Sequence, residues 1–227
     1  MQLYIGNKNY SSWSLRPWLL MTHFGIPFEE VKLRLSFEAG SPFKTALAKI
    51  TPTGKVPVLV DDDGFAVWDT LAICEYLAEK FPERGLWPAE RQVRARARSV
   101  CAEMHAGFGA LRQHFPMNIE AQLPQIGAEV LATKPEVARD LGRIVQMWSE
   151  LLQTHGGPFL FGRFSIADAY FAPVCSRFRS YAAPLPAPLQ AYVEAVFELP
   201  AMQSWVQQAL AEQDFLDFDE PYRSARG

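Results

Sequence analysis

Asp69-Thr70 stands where a short apolar run, residues 65–68, changes into the amphipathic helical pattern of residues 71–80. An acid and a hydroxyl at such a junction can cap the helix. They can also hold a ligand. The N–H groups of a helix start, with a hydroxyl beside them, cradle a carboxylate, and the Asp carboxylate can receive an ammonium group. A ligand end that carries both groups is an α-amino acid. Ser11-Ser12-Trp13-Ser14 opens an earlier helix. Serines there cap; beside a bound thiol, one hydroxyl can donate to the sulfur anion, which the helix dipole also favours. Lowering a thiol pKa by about one to two units corresponds to about 1.4–2.7 kcal/mol. Val56-Pro57 lies inside an aliphatic run, residues 56–60. Proline removes a ladder donor, so it marks either an edge strand or a cis bond. A cis bond turns the Val56 N–H and C=O outward, where an extended peptide can pair with them as an added strand. Ser165 and Asp168 have the spacing of a capping box, and we assign them structure and no catalysis.

These groups need elements to carry them. Residues 2–6 read as a strand. Leu15, Trp18, Leu19 and Thr22 have helical spacing, ended by Gly25-Ile26-Pro27. Val31, Leu33 and Leu35 alternate with Lys32 and Arg34 and predict a second strand with one wet face. Residues 41–50 suit a short linking helix, and the turn 61–64 separates two more strands. The order β-α-β, linking helix, β-β-α implies a mixed sheet with helices packed on it. Residues 81–88 hold two prolines and a glycine, so 81–90 reads as a linker between a first domain, 1–80, and a second, 91–227. Segments 89–115, 124–154, 165–181 and 188–212 all have helical periodicity, which makes the second domain all-α. The tail from 214 is acidic and aromatic, then basic; it either wraps the surface or is partly disordered.

Composition narrows the function. A formal charge of −3 gives no electrostatic reason for nucleic-acid binding, and the basic cluster Arg91, Arg94, Arg96 and Arg98 suits a solvated or dimer-contact helix face. Cys74, Cys101 and Cys175 lie far apart, without disulfide or zinc spacing, and suit a reducing compartment. The four histidines have no metal-ligand spacing. No apolar run approaches the ~20 residues that span a bilayer. No basic and apolar leader pattern precedes the first strand. A soluble cytoplasmic protein, without membrane or nucleic-acid partners and without a metal, is the expectation.

Val56-Pro57, then Asp69-Thr70, then a helical domain with Ser165-x-x-Asp168, together resemble the cytosolic glutathione S-transferases. The Ser-Ser-x-Ser-x-Arg pattern at 11–16 is most similar to the serine-type classes, zeta above all, over about residues 1–212. The resemblance implies an α/β thioredoxin-like N-terminal domain, an all-α C-terminal helical domain and a homodimer. It implies glutathione as co-substrate, with no separate cofactor. Matched position by position, Ser11 stabilises the glutathione thiolate and Ser12 is the second serine of the motif. Val56, before an expected cis-Pro57, pairs with the cysteinyl part; Asp69 and Thr70 hold the γ-glutamyl end. Trp13 stands where zeta enzymes commonly have cysteine, and no cysteine occurs in residues 1–73 to serve as a nucleophile. Thr70 replaces a serine but keeps the hydroxyl. Tyr10, next to Ser11, stays a rival thiolate partner.

The activity this implies is transfer of the glutathione thiolate to a small electrophilic hydrophobic substrate. Two alternatives stand beside it: a glutathione-dependent cis-trans isomerase of the maleylacetoacetate type, and a non-catalytic binding module. The second substrate would lie against residues 91–115, within reach of His105, Phe108, Arg112, His114, Met117 and Asn118. Phe178, Arg179 and Tyr181 are further candidates. Each of these residue types also suits ordinary packing or a solvated surface.

Overall fold

A computed structural model describes residues 1–226; Gly227, the far end of the second expected domain, lies outside the described residues. The chain begins with β1 (Gln2–Ile5), α1 (Ser12–His23), β2 (Glu29–Lys32) and α2 (Pro42–Leu47). It continues with β3 (Val58–Val60), β4 (Ala66–Trp68) and α3 (Thr70–Lys80). The sheet order is β2-β1-β3-β4, with β1 parallel to β2 and antiparallel to β3, and β3 antiparallel to β4. Leu3, Ile5 and Leu59 are fully buried, and they pack in one cluster with Leu15, Leu19 and Ile73. The alternation of β1 therefore serves a helix-covered face.

β2 is earlier and shorter than the alternation of Val31, Leu33 and Leu35 predicts. Leu33 N–H still donates to Ile5 O at 2.9 Å, but Leu35 N–H leaves the sheet for Asn7 Oδ1 at 2.8 Å. Leu33 and Leu35 then pack on a small cluster of Phe43, Leu47 and Val58 under α2. The side-chain acceptor and that pocket of apolar contacts outweigh two more ladder bonds.

After a 3₁₀ turn at Pro82–Arg84 come α4 (Arg91–Ala106), α5 (Gly109–His114), α6 (Pro124–Thr133) and α7 (Pro135–His155). The remaining helices are α8 (Ile166–Ser180), α9 (Ala187–Glu198) and α10 (Pro200–Ala211). Three long helical segments of the sequence each split in two. Pro135 and Pro200 open new helices, because a proline is tolerated at the first helical position and not in an interior. The third break is at Gly107-Phe108, where Phe108 adopts φ 53°. The capping box of α8 forms as expected: Ser165 N–H donates to Asp168 Oδ2 at 2.9 Å, and Leu160 N–H donates to Oδ1 at 2.9 Å. Burial pushes the Asp168 carboxyl up to about 6 against the pull of these donors.

Two buried cations join the sheet-bearing half to the helices. Arg16, on α1, donates from Nε to Tyr170 O of α8 at 2.9 Å, and its guanidinium lies 4.0 Å from the Trp13 ring centroid and 4.8 Å from that of Tyr170. Burial lowers its pKa to about 10, so it stays charged at neutral pH. Lys8 pairs with Glu30 at 2.6 Å and sits over the rings of Trp18 and Trp205. The tail wraps. Glu212 accepts from Lys8 N–H at 2.9 Å, and Asp214 accepts from Asn7 Nδ2 and from both forks of Arg34. Glu220 is buried, and it accepts from the Tyr10 hydroxyl at 2.7 Å and Asn118 Nδ2 at 2.8 Å. The loop from Asn7 to Tyr10 is thus braced from behind by residues of the tail.

Candidate functional site

The cleft between the sheet domain and α4–α5 holds a cavity of about 480 Å³, lined by Trp13, Val56, Pro57, Asp69 and Thr70 among others. Each wall has a local cause. The Val56–Pro57 bond is cis, and β3 begins only at Val58. Among the described residues, neither the N–H nor the C=O of Val56 has a hydrogen-bond partner within the chain. An unpaired donor and acceptor on adjacent backbone atoms is what an incoming peptide needs in order to add as a strand.

Asp69 caps α3: its Oδ1 accepts from Leu71 N–H at 2.8 Å. The cap reading of the sequence holds, but it uses only one carboxylate oxygen. Oδ2 lies 3.4 Å from His105 Nε2, across the cleft. Asp69 also adopts φ 74° and ψ 132°, a left-handed conformation that costs a residue with a Cβ about 1–3 kcal/mol. A cap alone does not require that strain, since caps ordinarily sit in the extended region. Thr70 is buried, and its Oγ1 donates to Trp13 O at 3.2 Å, which ties the start of α3 to the start of α1. Asp69 and Thr70, at the start of α3, therefore line the same cavity that Val56 borders.

On the helical side, His105 accepts or donates at Nδ1 to the Tyr170 hydroxyl at 2.8 Å and meets Trp13 edge-on at 5.3 Å. Arg112 has its guanidinium 5.5 Å from the Trp13 ring centroid, and its Nε is buried with no hydrogen-bond partner. Trp13 thus lies near two guanidiniums, those of Arg16 and Arg112. Thr53, Lys55 and Trp68 complete the lining. The Lys44 ammonium donates to Gly54 O at 3.2 Å beside it.

Of the six residues the sequence singles out, Val56, Pro57, Asp69 and Thr70 come together in this cavity. Ser11 and Ser12 do not line it. They stand at the start of α1, just before Trp13, each 8 % exposed. Ser11 occupies the N-cap position, yet its hydroxyl makes no capping bond; it donates to Ser14 Oγ at 2.7 Å. Tyr10 faces the tail, and burial and the Glu220 hydrogen bond push its pKa up to about 12.

Among the second-substrate candidates, only His105 and Arg112 reach the cavity. Phe108 and Met117 are core, Asn118 holds Glu220, and Tyr181 stacks on Phe115. Phe178 and Arg179 border a separate cavity of about 670 Å³ against α9. That one is larger, but none of the six residues singled out from the sequence lines it. Lys55 and Trp68 are site residues that pattern reasoning passed over. Their signal was adjacency alone, since each stands one position from a residue already singled out. Among the described residues, no group of three or more His, Cys, Asp or Glu side chains is placed to hold a metal. No helix among them is long and apolar enough to cross a membrane.

Comparison with known proteins gives a consistent result. Residues 10–80 match the family described as glutathione S-transferase, N-terminal domain, and residues 91–208 match its C-terminal domain. The chain is 27 % identical over 174 residues to a maleylacetoacetate isomerase of Pseudomonas aeruginosa, covering 76 % of this chain and 79 % of that protein. It is 29 % identical over 201 residues to a zeta-class glutathione S-transferase of Euphorbia esula, covering 86 % and 85 %. A sphingomonad glutathione S-transferase, solved in complex with glutathione, superposes with a TM-score of 0.64 at 26 % identity over 92 % of this chain and 98 % of that one.

Proposed function

The chain belongs to the glutathione S-transferase family of enzymes, and from that premise we propose that it conjugates the glutathione thiolate to a small electrophilic hydrophobic substrate. The observation that carries this reading is the convergence of the unpaired Val56 backbone, the spare oxygen of Asp69 and the α3 start on one cavity. In this reading residues 1–80 hold glutathione. The Val56 N–H and C=O pair with the cysteinyl unit as an added strand. The γ-glutamyl carboxylate sits on the N–H of Thr70 at the α3 start, and the ammonium meets Asp69. In the same reading the sulfur sits at the start of α1, where the helix dipole favours a thiolate. Ser11 donates to it and Ser12 flanks it. The thiol proton leaves to solvent, and the sulfur lone pair forms the new S–C bond as the electrophile's leaving group departs. Catalysis comes from supplying thiolate and holding the partners together.

Residues 91–227 shape the acceptor side, joined by 81–90. The cytoplasm as location and a homodimer as the working form belong to the same proposal. A second reading, glutathione-dependent cis-trans isomerisation, is favoured by Arg112. Its buried Nε is unpartnered in a wall where a purely apolar acceptor calls for no cation, whereas a carboxylate-bearing one does.

The test replaces Ser11 by Ala and Tyr10 by Phe, and titrates the ultraviolet absorbance of bound glutathione thiolate in each. Ser11→Ala is expected to raise the thiol pKa by about one to two units and to cut turnover of an activated aryl chloride about 10- to 100-fold below it. Tyr10→Phe should leave the titration where it was. The reverse pattern hands the thiolate to Tyr10 and removes Ser11 from the mechanism.

A further inference from the structure

Ser14 is fully buried, and its Oγ receives two hydrogen bonds: from Gly6 N–H at 3.2 Å and from the Ser11 hydroxyl at 2.7 Å. A serine oxygen has two acceptor sites and one proton of its own. With both acceptor sites filled, the Ser14 proton needs an acceptor, and among the described residues its oxygen has no third polar contact. The usual outlet for a helical serine is the carbonyl four residues back. Here that is Tyr10 O, which accepts Ser12 N–H at 2.8 Å instead. A buried donor without an acceptor is costly, and Ser11 Oγ, 2.7 Å away, is the acceptor within reach of the Ser14 hydroxyl once the Ser11 proton turns elsewhere.

Resting on the reading that Ser11 faces the glutathione sulfur, we propose that Ser14 is a positioning residue that turns the Ser11 hydroxyl onto the thiolate. When the sulfur anion arrives, the Ser11 O–H rotates to it, and the Ser14 O–H rotates onto the vacated Ser11 Oγ. Gly6 N–H holds Ser14 Oγ in both arrangements. No proton changes molecule; two hydroxyls rotate, and every donor in the chain Gly6, Ser14, Ser11, sulfur then has an acceptor. Hydrogen bonds in series polarise one another, so the last one, to sulfur, is strengthened by the two behind it. The arrangement also explains the glycine. A Cβ on residue 6 would lie 2.6 Å from Leu35 Cδ2 and 3.1 Å from Ser11 Oγ, displacing the hydroxyl that Ser14 orients. That Ser11 forgoes the capping bond of its position fits the same role, because a cap would hold the hydroxyl against the helix.

The test uses the full chain with glutathione bound: the wild type, Ser14→Ala, Ser11→Ala and the double variant, each titrated by thiolate absorbance and by the pH dependence of turnover. Ser14→Ala should raise the bound thiol's pKa by about half a unit to one unit, with glutathione affinity within about twofold. Turnover should fall about 3- to 10-fold below the thiol's pKa and recover above it. In the Ser11→Ala background, Ser14→Ala should add nothing. If Ser14→Ala fails to fold, Ser14→Cys, which keeps the size and weakens the donor, should show the same shift at smaller amplitude. A Ser14 variant that titrates like the wild type while Ser11→Ala is shifted overturns the inference and leaves the Ser11 reading standing. So does a double variant in which the two shifts add. A Ser11→Ala enzyme that titrates like the wild type removes the Ser11 reading and this inference with it.

Discussion

Asp69→Asn separates the two jobs of one side chain. Oδ1 caps α3 through Leu71 N–H, and an asparagine carbonyl oxygen does the same within a few tenths of a kcal/mol. Asparagine also tolerates the positive φ of 74° better than most residues. Fold stability should therefore change by less than about 0.5 kcal/mol. What is lost is the negative charge at Oδ2, where the ligand ammonium is proposed to sit. A hydrogen bond to a charged group is worth about 1.5–3 kcal/mol. The Asp69 side chain is 45 % exposed, so solvent screening reduces this to about 1–1.5 kcal/mol, a 5- to 12-fold loss of glutathione affinity. Calorimetric titration with glutathione and with its des-amino analogue reads the effect directly. The wild type should prefer glutathione by about that factor, and Asp69→Asn should bind the two alike. If the variant keeps the preference, Asp69 does not read the ammonium, and the orientation of the tripeptide in the cleft is wrong. If the variant loses more than about 2 kcal/mol of folding stability in urea, the cap argument fails, since asparagine ranks with aspartate at this position.

Arg112→Met keeps the reach of the side chain and removes its charge. It should lower kcat/KM about 10-fold for a carboxylate-bearing electrophile and change that for a neutral one by less than about twofold. An equal loss for both sends Arg112 back to a packing role. Asp61 accepts from Lys80 and Tyr76, and the Lys80 hydrogen bond above all holds its carboxyl down to about 2. Its folded pKa lies below the unfolded value, so its contribution is complete above about pH 4 and drains away as pH falls toward 2. Urea midpoints measured from pH 6 to pH 2 should fall more steeply over that window in the wild type than in Asp61→Asn. Parallel curves would refute the assignment.

Much of this fold and part of the site are legible in the residues themselves. Asp69-Thr70 announces a helix start whichever role it plays, because capping and carboxylate binding use the same free N–H groups. Pro57 inside an aliphatic run forces a choice between two geometries, and the family pattern selects the cis one that is found. Other features depend on partners that no local pattern contains. The end of β2 is decided by Asn7 Oδ1 and the Phe43 cluster, not by alternation. Whether a serine at a helix start caps or is held away from the helix depends on its side-chain torsion, and Ser11 turns its hydroxyl to Ser14 instead of capping. Arg112 reaches the cleft because Phe108 breaks the helical run ahead of it; one unbroken helix over 89–115 would aim it elsewhere. Tyr10, a rival to Ser11 by adjacency, is turned toward the tail by Glu220, 210 residues away.

That last contact bears on how the molecule is made. Glu212, Asp214 and Glu220, which brace the loop leading into Ser11, leave the ribosome some 200 residues after it. A nascent chain can form the sheet and α1 long before then, but Asn7, Lys8 and Tyr10 must wait for counterparts still inside the translating machine. The sheet-bearing half is thus made well before the segment that braces it, and a chain released before residue 212 carries the sheet and helices without the clasp that steadies the entrance to α1.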